Sequence, residues 1–223
     1  MVFSQAKLMA LSRVRGWTKG FLQNRYAADH FLWRLPATEG SVISLTFDDG
    51  PDPQYTLPLL EILAVHDVKA TFFMIGEMVD RHPDIAAQIV REGHAVAGHT
   101  YTHRELPSLS EPELNEELDK TRLAIQRATG IDSFDFRPPR GRMSAASLGY
   151  LKKTDYRLIH WSKTYSDYLK DGADKLIERI NSNPMVAGDV ILFHDNNSHS
   201  LEAMERILPQ LKQQGLGFYH FSA

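Results

Sequence analysis

Cysteine is absent from the 223 residues. That excludes disulfide bridges, thiolate metal ligands and a cysteine nucleophile, and it leaves ten histidines as the main source of nitrogen ligands. Long apolar runs are absent as well, and nothing approaches the length of a secretory h-region or a membrane span. No low-complexity segment, linker or internal repeat interrupts the chain. The net charge of -3 gives no electrostatic basis for binding nucleic acid. Acids are scarce in one place only. The first 35 residues carry Lys7, Arg13, Arg15, Lys19, Arg25 and Arg34 against the single acid Asp29, with Phe3, Trp17, Phe21, Phe31 and Trp33 interspersed.

This opening stretch, residues 1–40, is expected to be an N-terminal arm packed on the domain that follows. A basic amphipathic segment touching an anionic membrane surface and a transit peptide are the competing readings. With no leader recognised, the cytoplasm is the expected location, with peripheral contact at the inner face of a membrane through the arm as the further option. Residues 41–223 are long enough for one sizeable core. Strand-like runs at Val42–Asp48, Ala70–Gly76, Ala95–His99, Asp135–Pro139, Arg157–Ser162, Asp189–Asp195 and Gly217–Ser222 alternate with amphipathic stretches. These are near Thr56–His66, Asp84–Glu92, Glu111–Thr129, Ala145–Lys153, Ala173–Asn181 and Leu201–Gln214. Ser110 and Glu113 form a capping-box pattern, and Gly93, Gly130 and Gly215 stand where helix ends want a left-handed residue. Strands joined by helices imply a parallel sheet, and about seven units favour closure into a single α/β barrel.

The polar clusters fall at or just past the ends of the strand-like runs, the rim where parallel barrels build active sites. Thr46-Phe47-Asp48-Asp49-Gly50-Pro51 puts two adjacent carboxylates at a strand end. They repel unless a cation or proton intervenes, which one metal-binding and one proton-handling Asp would achieve. His99 and His103 are four residues apart; alone, such a pair also suits a solvated turn. With a carboxylate at the same rim they complete a common three-ligand zinc set with an open position. His194 ends the buried pattern Val190-Ile191-Leu192-Phe193 and suits either a hydrogen-bonded core histidine or a general acid for an amine leaving group. Arg137-Pro138-Pro139-Arg140-Gly141 is a rigid turn whose Arg could hold a carboxylate ionised and whose backbone could face an oxyanion.

Together these residues resemble the polysaccharide deacetylases of the NodB-homology type, carbohydrate esterase family 4, over residues 40 to 222. Thr46-Phe47-Asp48-Asp49 looks like the first motif, His99-Thr100-x-x-His103 the second, Arg137 to Gly141 the third and Leu192-Phe193-His194 the fifth. The resemblance implies an irregular (β/α) barrel and a divalent metal, zinc by default, with cobalt, nickel or iron also accepted by such a donor set. It implies Asp49, His99 and His103 as metal ligands, Asp48 as general base, His194 as general acid and Arg137 as the orienter of the catalytic carboxylate. The Arg140 N–H would face the oxyanion and Leu192 would line the acetyl pocket, with Asp167 and Tyr168 grouped among the substrate-facing residues.

Two positions depart from the pattern. The fourth motif, usually D-x-x-D-W, reads Thr164-Tyr165-Ser166-Asp167-Tyr168, so one acid and the Trp are replaced. Arg140 stands where an aromatic is frequent, a cation suited to a substrate carrying phosphate or carboxylate. The expected function is metal-dependent removal of N-acetyl groups from an amino-sugar glycan or oligosaccharide. The alternatives are O-acetyl ester hydrolysis on a xylan-like glycan, deformylation of a lipid-linked sugar, and a catalytically idle carbohydrate-binding protein. The partner is then an N-acetylated glycan or glycolipid; the sequence is silent on oligomeric state.

Overall fold

The computed structural model describes residues 30–169 and 171–221. Most of the expected arm, with its basic and aromatic residues up to Asp29, lies outside the described residues. Its last part joins the sheet. Phe31–Leu32 form β1, which pairs in parallel with β6 (Arg157–Ile159), and Phe31 is buried to 2% exposure. Burying a phenylalanine of this kind contributes about 1.5–3 kcal/mol, enough to fix a short edge strand.

The other strands are β2 (Val42–Asp48), β3 (Thr71–Met74), β4 (Ala95–Gly98), β5 (Asp135–Phe136), β7 (Lys163–Thr164), β8 (Val190–His194) and β9 (Gly217–Phe218). Their order is β1-β6-β5-β4-β3-β2-β8-β7, with β9 also on β2, and every ladder pairing is parallel. The sheet curls back on itself: Leu35 N–H donates to Gly188 O at 2.9 Å, and Arg34 pairs with Asp189 at 2.7 Å. Those contacts bring the β1 edge to the start of β8 and give the irregular barrel.

Seven helices pack outside: α1 (Thr56–Val65), α2 (Gly76–Arg81), α3 (Pro83–Arg91), α4 (Glu111–Thr129), α5 (Ala145–Leu151), α6 (Ala173–Ser182) and α7 (Ser198–Gln213) among the described residues. Alternate residues of β2 face opposite sides, as a strand's period of two requires. Ile43, Leu45 and Phe47 join the main core with α1 and α7 residues such as Leu60 and Ile207. Phe73, Ala97, Ile159 and Val190 form a separate cluster, which we read as the barrel interior. A helix covers one face and the barrel interior the other, so these strands read as apolar runs rather than clean alternation.

The expected Ser110–Glu113 capping box is present, and Gly93, Gly130 and Gly215 all take positive φ. Several boundaries differ. The strand expected to reach Gly76 stops at Met74, because Ile75 and Gly76 donate to Gly50 O and Thr100 O instead and turn into α2. The strand expected through Pro139 is only two residues long, since prolines 138 and 139 have no N–H for a ladder. Helix α7 starts three residues early because the Asn197 side chain caps Ser200 N–H at 2.9 Å. No helix of the described residues is long and apolar enough to cross a membrane.

Candidate active site

Register assembles the site. Asp48, the last residue of β2, lies opposite Phe73 on one side and His194 on the other. His99 continues β4 by donating its N–H to Met74 O, and Arg137 continues β5 through Gly98 O. Four strands of one sheet, with β3 between them, thus deliver an Asp, a His, an Arg and a second His to one rim.

Asp49 follows in a left-handed conformation (φ 81°), as do Thr100 (φ 61°) and His103 (φ 59°). Each costs roughly 1–3 kcal/mol in a residue with a side chain, so the surroundings must hold them. Part of that hold is Glu117 of α4, which the sequence did not single out. It accepts from Tyr101 and Thr102 N–H, both at 2.8 Å, and from Thr102 Oγ1 at 2.6 Å, clamping the loop between the two histidines.

His99 Nε2 lies 3.5 Å and His103 Nε2 3.3 Å from Asp49 Oδ1, and one donor atom from each residue falls within 4.8 Å of the others. His99 Nδ1 is 2.9 Å from Arg137 O. A carbonyl can only accept, so the proton sits on Nδ1 and the Nε2 lone pair faces the cluster. Burial lowers the His99 pKa, against the pull of Asp48 and Asp49, which keeps the imidazole in its ligand form. Two imidazoles and a carboxylate converging in this way fit a divalent ion of the zinc type, with protein atoms leaving room for further ligands.

Asp48 is divided between two neighbours. Its Oδ1 accepts from Arg137 Nη1 at 2.7 Å, while Oδ2 lies 3.7 Å from His99 Nε2, on the side of the ligand cluster. Arg137 is fully buried and donates also to Thr46 Oγ1, Ile159 O and His160 O. A buried guanidinium with its donors engaged in this way is a rigid support for one carboxylate oxygen.

His194 Nδ1 is 3.0 Å from Asp167 Oδ1. Asp167 further accepts from His194 N–H at 2.8 Å and from Ser200 Oγ at 2.7 Å. Burial works to lower the His194 pKa, but the Asp167 carboxylate, helped by Asp48 and Asp49, overrides it and pushes the imidazole up to about 9. Burial likewise works to raise Asp167, and the His194 and Ser200 hydrogen bonds bring it below its ordinary value. Asp167 therefore stands behind His194 at 1% exposure rather than facing substrate, as the sequence grouping had it. Ser200, also missed, was invisible because it acts only through Asp167.

A cavity of about 750 Å³ opens over this rim, lined by Asp48, Asp49, His99, His103, Arg140, Tyr168, Leu192 and His194. Of the site residues expected from sequence, only Arg137 and Asp167 lie behind it. Thr164 also lines it, as do Trp33, His160 and Trp161. The three rings stack in sequence, at 4.1 Å and 4.0 Å between centroids. Gly141 packs against them so closely that a Cβ would lie 2.5 Å from Trp161 Cη2. Arg140 takes φ 54° in the same turn, and its exposed guanidinium pairs with Glu105 at 2.8 Å.

Comparison with known proteins agrees with this geometry. A family model described as polysaccharide deacetylase matches residues 36–159. A peptidoglycan-N-acetylglucosamine deacetylase of Bacillus cereus is 35% identical over 206 residues, covering 91% of this chain and 73% of that protein. Among solved structures, a peptidoglycan N-acetylglucosamine deacetylase in complex with a hydroxamate-type benzamide superposes with a TM-score of 0.80 at 32% identity, covering 86% of this chain and 90% of the other. A mutant of a CE4 family pseudoenzyme with restored enzymatic activity gives 0.79 at 30% identity, over 86% and 70% of the two chains.

Proposed function

The chain belongs to the polysaccharide deacetylase family, and we propose that it is a hydrolase removing N-acetyl groups from an amino-sugar glycan, with a divalent metal held by Asp49, His99 and His103. The observation that carries this reading is the convergence of the Asp49–His99–His103 cluster, the Asp48–Arg137 pair and the Asp167–His194 pair on one cavity. The bound ion would supply Lewis-acid polarisation of the acetyl carbonyl and a more acidic water.

The protein's own groups divide the proton work. Arg137 ties up Asp48 Oδ1, so Oδ2, on the cluster side, is the oxygen that takes a proton from water as it attacks the carbonyl carbon. His194 delivers a proton to the departing amine, without which the C–N bond breaks poorly. Asp167 keeps His194 charged at neutral pH, so acid and base are in complementary states together. Arg140 lines the cavity from the Pro138–Gly141 turn, and its backbone N–H would meet the developing oxyanion. Leu192, at the cavity wall two residues before His194, would meet the acetyl methyl.

The test is acetate release from N-acetyl-glucosamine oligomers after chelation and metal add-back. Activity should vanish on chelation and return with zinc or cobalt, and Asp48→Asn should abolish turnover while leaving metal binding largely intact. Near-normal turnover in Asp48→Asn would refute the base assignment.

One observation favours a refinement. Arg140, which lines the cavity, shares Glu105 with Arg142, at 2.8 Å and 3.5 Å, and both guanidinium side chains are mostly exposed. Their spare donors suit a glycan with a carboxylate or phosphate substituent. The idle-binder reading rests on the fourth motif, where Thr164 and Tyr168 replace an acid and a Trp; against it, the cluster, base and acid groups named above all line or adjoin the one cavity.

A further inference from the structure

We propose that Asp195 and Asn196, the two residues after His194, are positioning residues that fix the carboxylate of Asp49 for metal binding. This rests on the reading of Asp49, His99 and His103 as ligands. Asn196 Nδ2 donates to Asp49 Oδ2 at 3.1 Å, which leaves Oδ1 as the oxygen facing both histidines. The Asn196 amide is itself oriented by Asn197, whose Nδ2 reaches Asn196 Oδ1 at 3.5 Å and whose Oδ1 caps α7.

Asp195 works from beneath the same turn. It is fully buried, and its N–H donates to Asp48 O at 3.3 Å. Its Oδ2 accepts from Thr56 Oγ1 at 2.6 Å, and that hydroxyl accepts from Asp52 N–H at 2.7 Å. The carboxyl is pressed so close to Gly50 that a Cβ there would lie 2.1 Å from Oδ2. Gly50 does not carry positive φ, so the close approach of Asp195, rather than backbone conformation, explains why a glycine stands there. Asp195, Thr56 and Asp52 thus bracket residues 49–51 from both ends, holding Asp49 at its left-handed φ while Asn196 sets its side chain.

Groups of this kind behind a metal ligand change affinity 10–100-fold when removed. The experiment is calorimetric titration of the metal-free protein with Zn²⁺, with thermal unfolding of the metal-free forms alongside. Asn196→Ala should bind about tenfold more weakly with unchanged metal-free melting and lower kcat at unchanged KM. Thr56→Val should weaken binding similarly, and Thr56→Ser, which restores the hydroxyl, should recover it. Gly50→Ala should weaken binding by displacing Asp195. Wild-type affinity in Asn196→Ala and Thr56→Val would overturn this inference alone. A wild-type chain that bound no ion would overturn the metal reading and this inference with it.

Discussion

Asp167 Oδ1 and His194 Nδ1 lie 3.0 Å apart, both largely shielded from solvent. The pair converts a histidine that burial would leave neutral into one protonated up to about pH 9. Ser200 and the His194 N–H hold the same carboxylate, so its geometry does not depend on the histidine side chain alone.

The first prediction concerns pH. A general acid must be protonated, so the high-pH limb of kcat/KM belongs to His194. Asp167→Asn removes the main group that raises the imidazole and leaves burial, which lowers it, opposed only by the weaker pull of Asp48 and Asp49. The limb should move from near pH 9 toward or below the ordinary 6.5, with activity at pH 7.5 falling steeply. Histidine NMR titration of metal-free protein checks the shift directly; an unmoved His194 titration would refute it. Stability follows the same sign. The raised His194 contributes fully below its unfolded pKa of about 6.5 and loses that contribution as pH rises through about 9.

The second prediction separates structure from chemistry at Arg137. Arg137→Leu leaves the Asp48 carboxylate buried without its partner, a change costing about 3–5 kcal/mol. Asp48→Asn keeps an amide oxygen for Arg137 Nη1, whose other acceptors are intact, and should cost less. Both should be inactive. Urea denaturation gives the ordering, and equal midpoints for the two variants would count against it.

How far this was legible in the sequence depends on whether a residue's role is local. Asp48, Asp49, His99, His103 and His194 announce themselves because each stands at or just past the end of a strand-like run, and a parallel sheet sends all such ends to one rim. Alternation of runs gave the barrel for the same reason. Glu117, Ser200 and Asn196 were not singled out, and Asp195, at the end of its strand-like run, was given no role. They act through contacts |i−j| of 15 or more, and an acid on an amphipathic helix or a polar residue after a strand looks like ordinary surface. Asp167 was found but misplaced, since its motif carries no sign of which way the side chain turns. The two-residue strands β1 and β7 are too short to show a period at all.

The third prediction is the thermal signature of metal binding. An ion that binds only the folded state stabilises it by about 2.7 kcal/mol at a concentration one hundred times Kd. Zinc should therefore raise the melting temperature of wild type and leave His103→Ala unchanged. The His103 side chain is 31% exposed, so His103→Ala should unfold close to wild type when both are metal-free. His99, at 2%, should cost more on truncation even without metal, because its bond to Arg137 O is lost in a buried site. A zinc-induced shift of wild-type size in His103→Ala would remove that residue from the ligand set.

The last prediction tests the cationic mouth of the cavity. Arg140 is solvent-exposed and its pair with Glu105 is worth little to stability, so Arg140→Ala should unfold within about 0.5 kcal/mol of wild type. Its effect should be on substrate choice. For a glycan with carboxylate substituents, KM should rise several-fold in Arg140→Ala, and the wild-type preference should weaken as salt screens the attraction. For neutral N-acetyl-glucosamine oligomers KM should barely change, and kcat should hold for both because the Arg140 backbone N–H survives the substitution. Steady-state kinetics on the two glycans at low and high ionic strength separate the outcomes. An equal rise in KM for both glycans would mean that Arg140 shapes the cavity rather than reading charge. An unchanged KM for both would mean that the guanidinium, held by Glu105, does not reach the substrate.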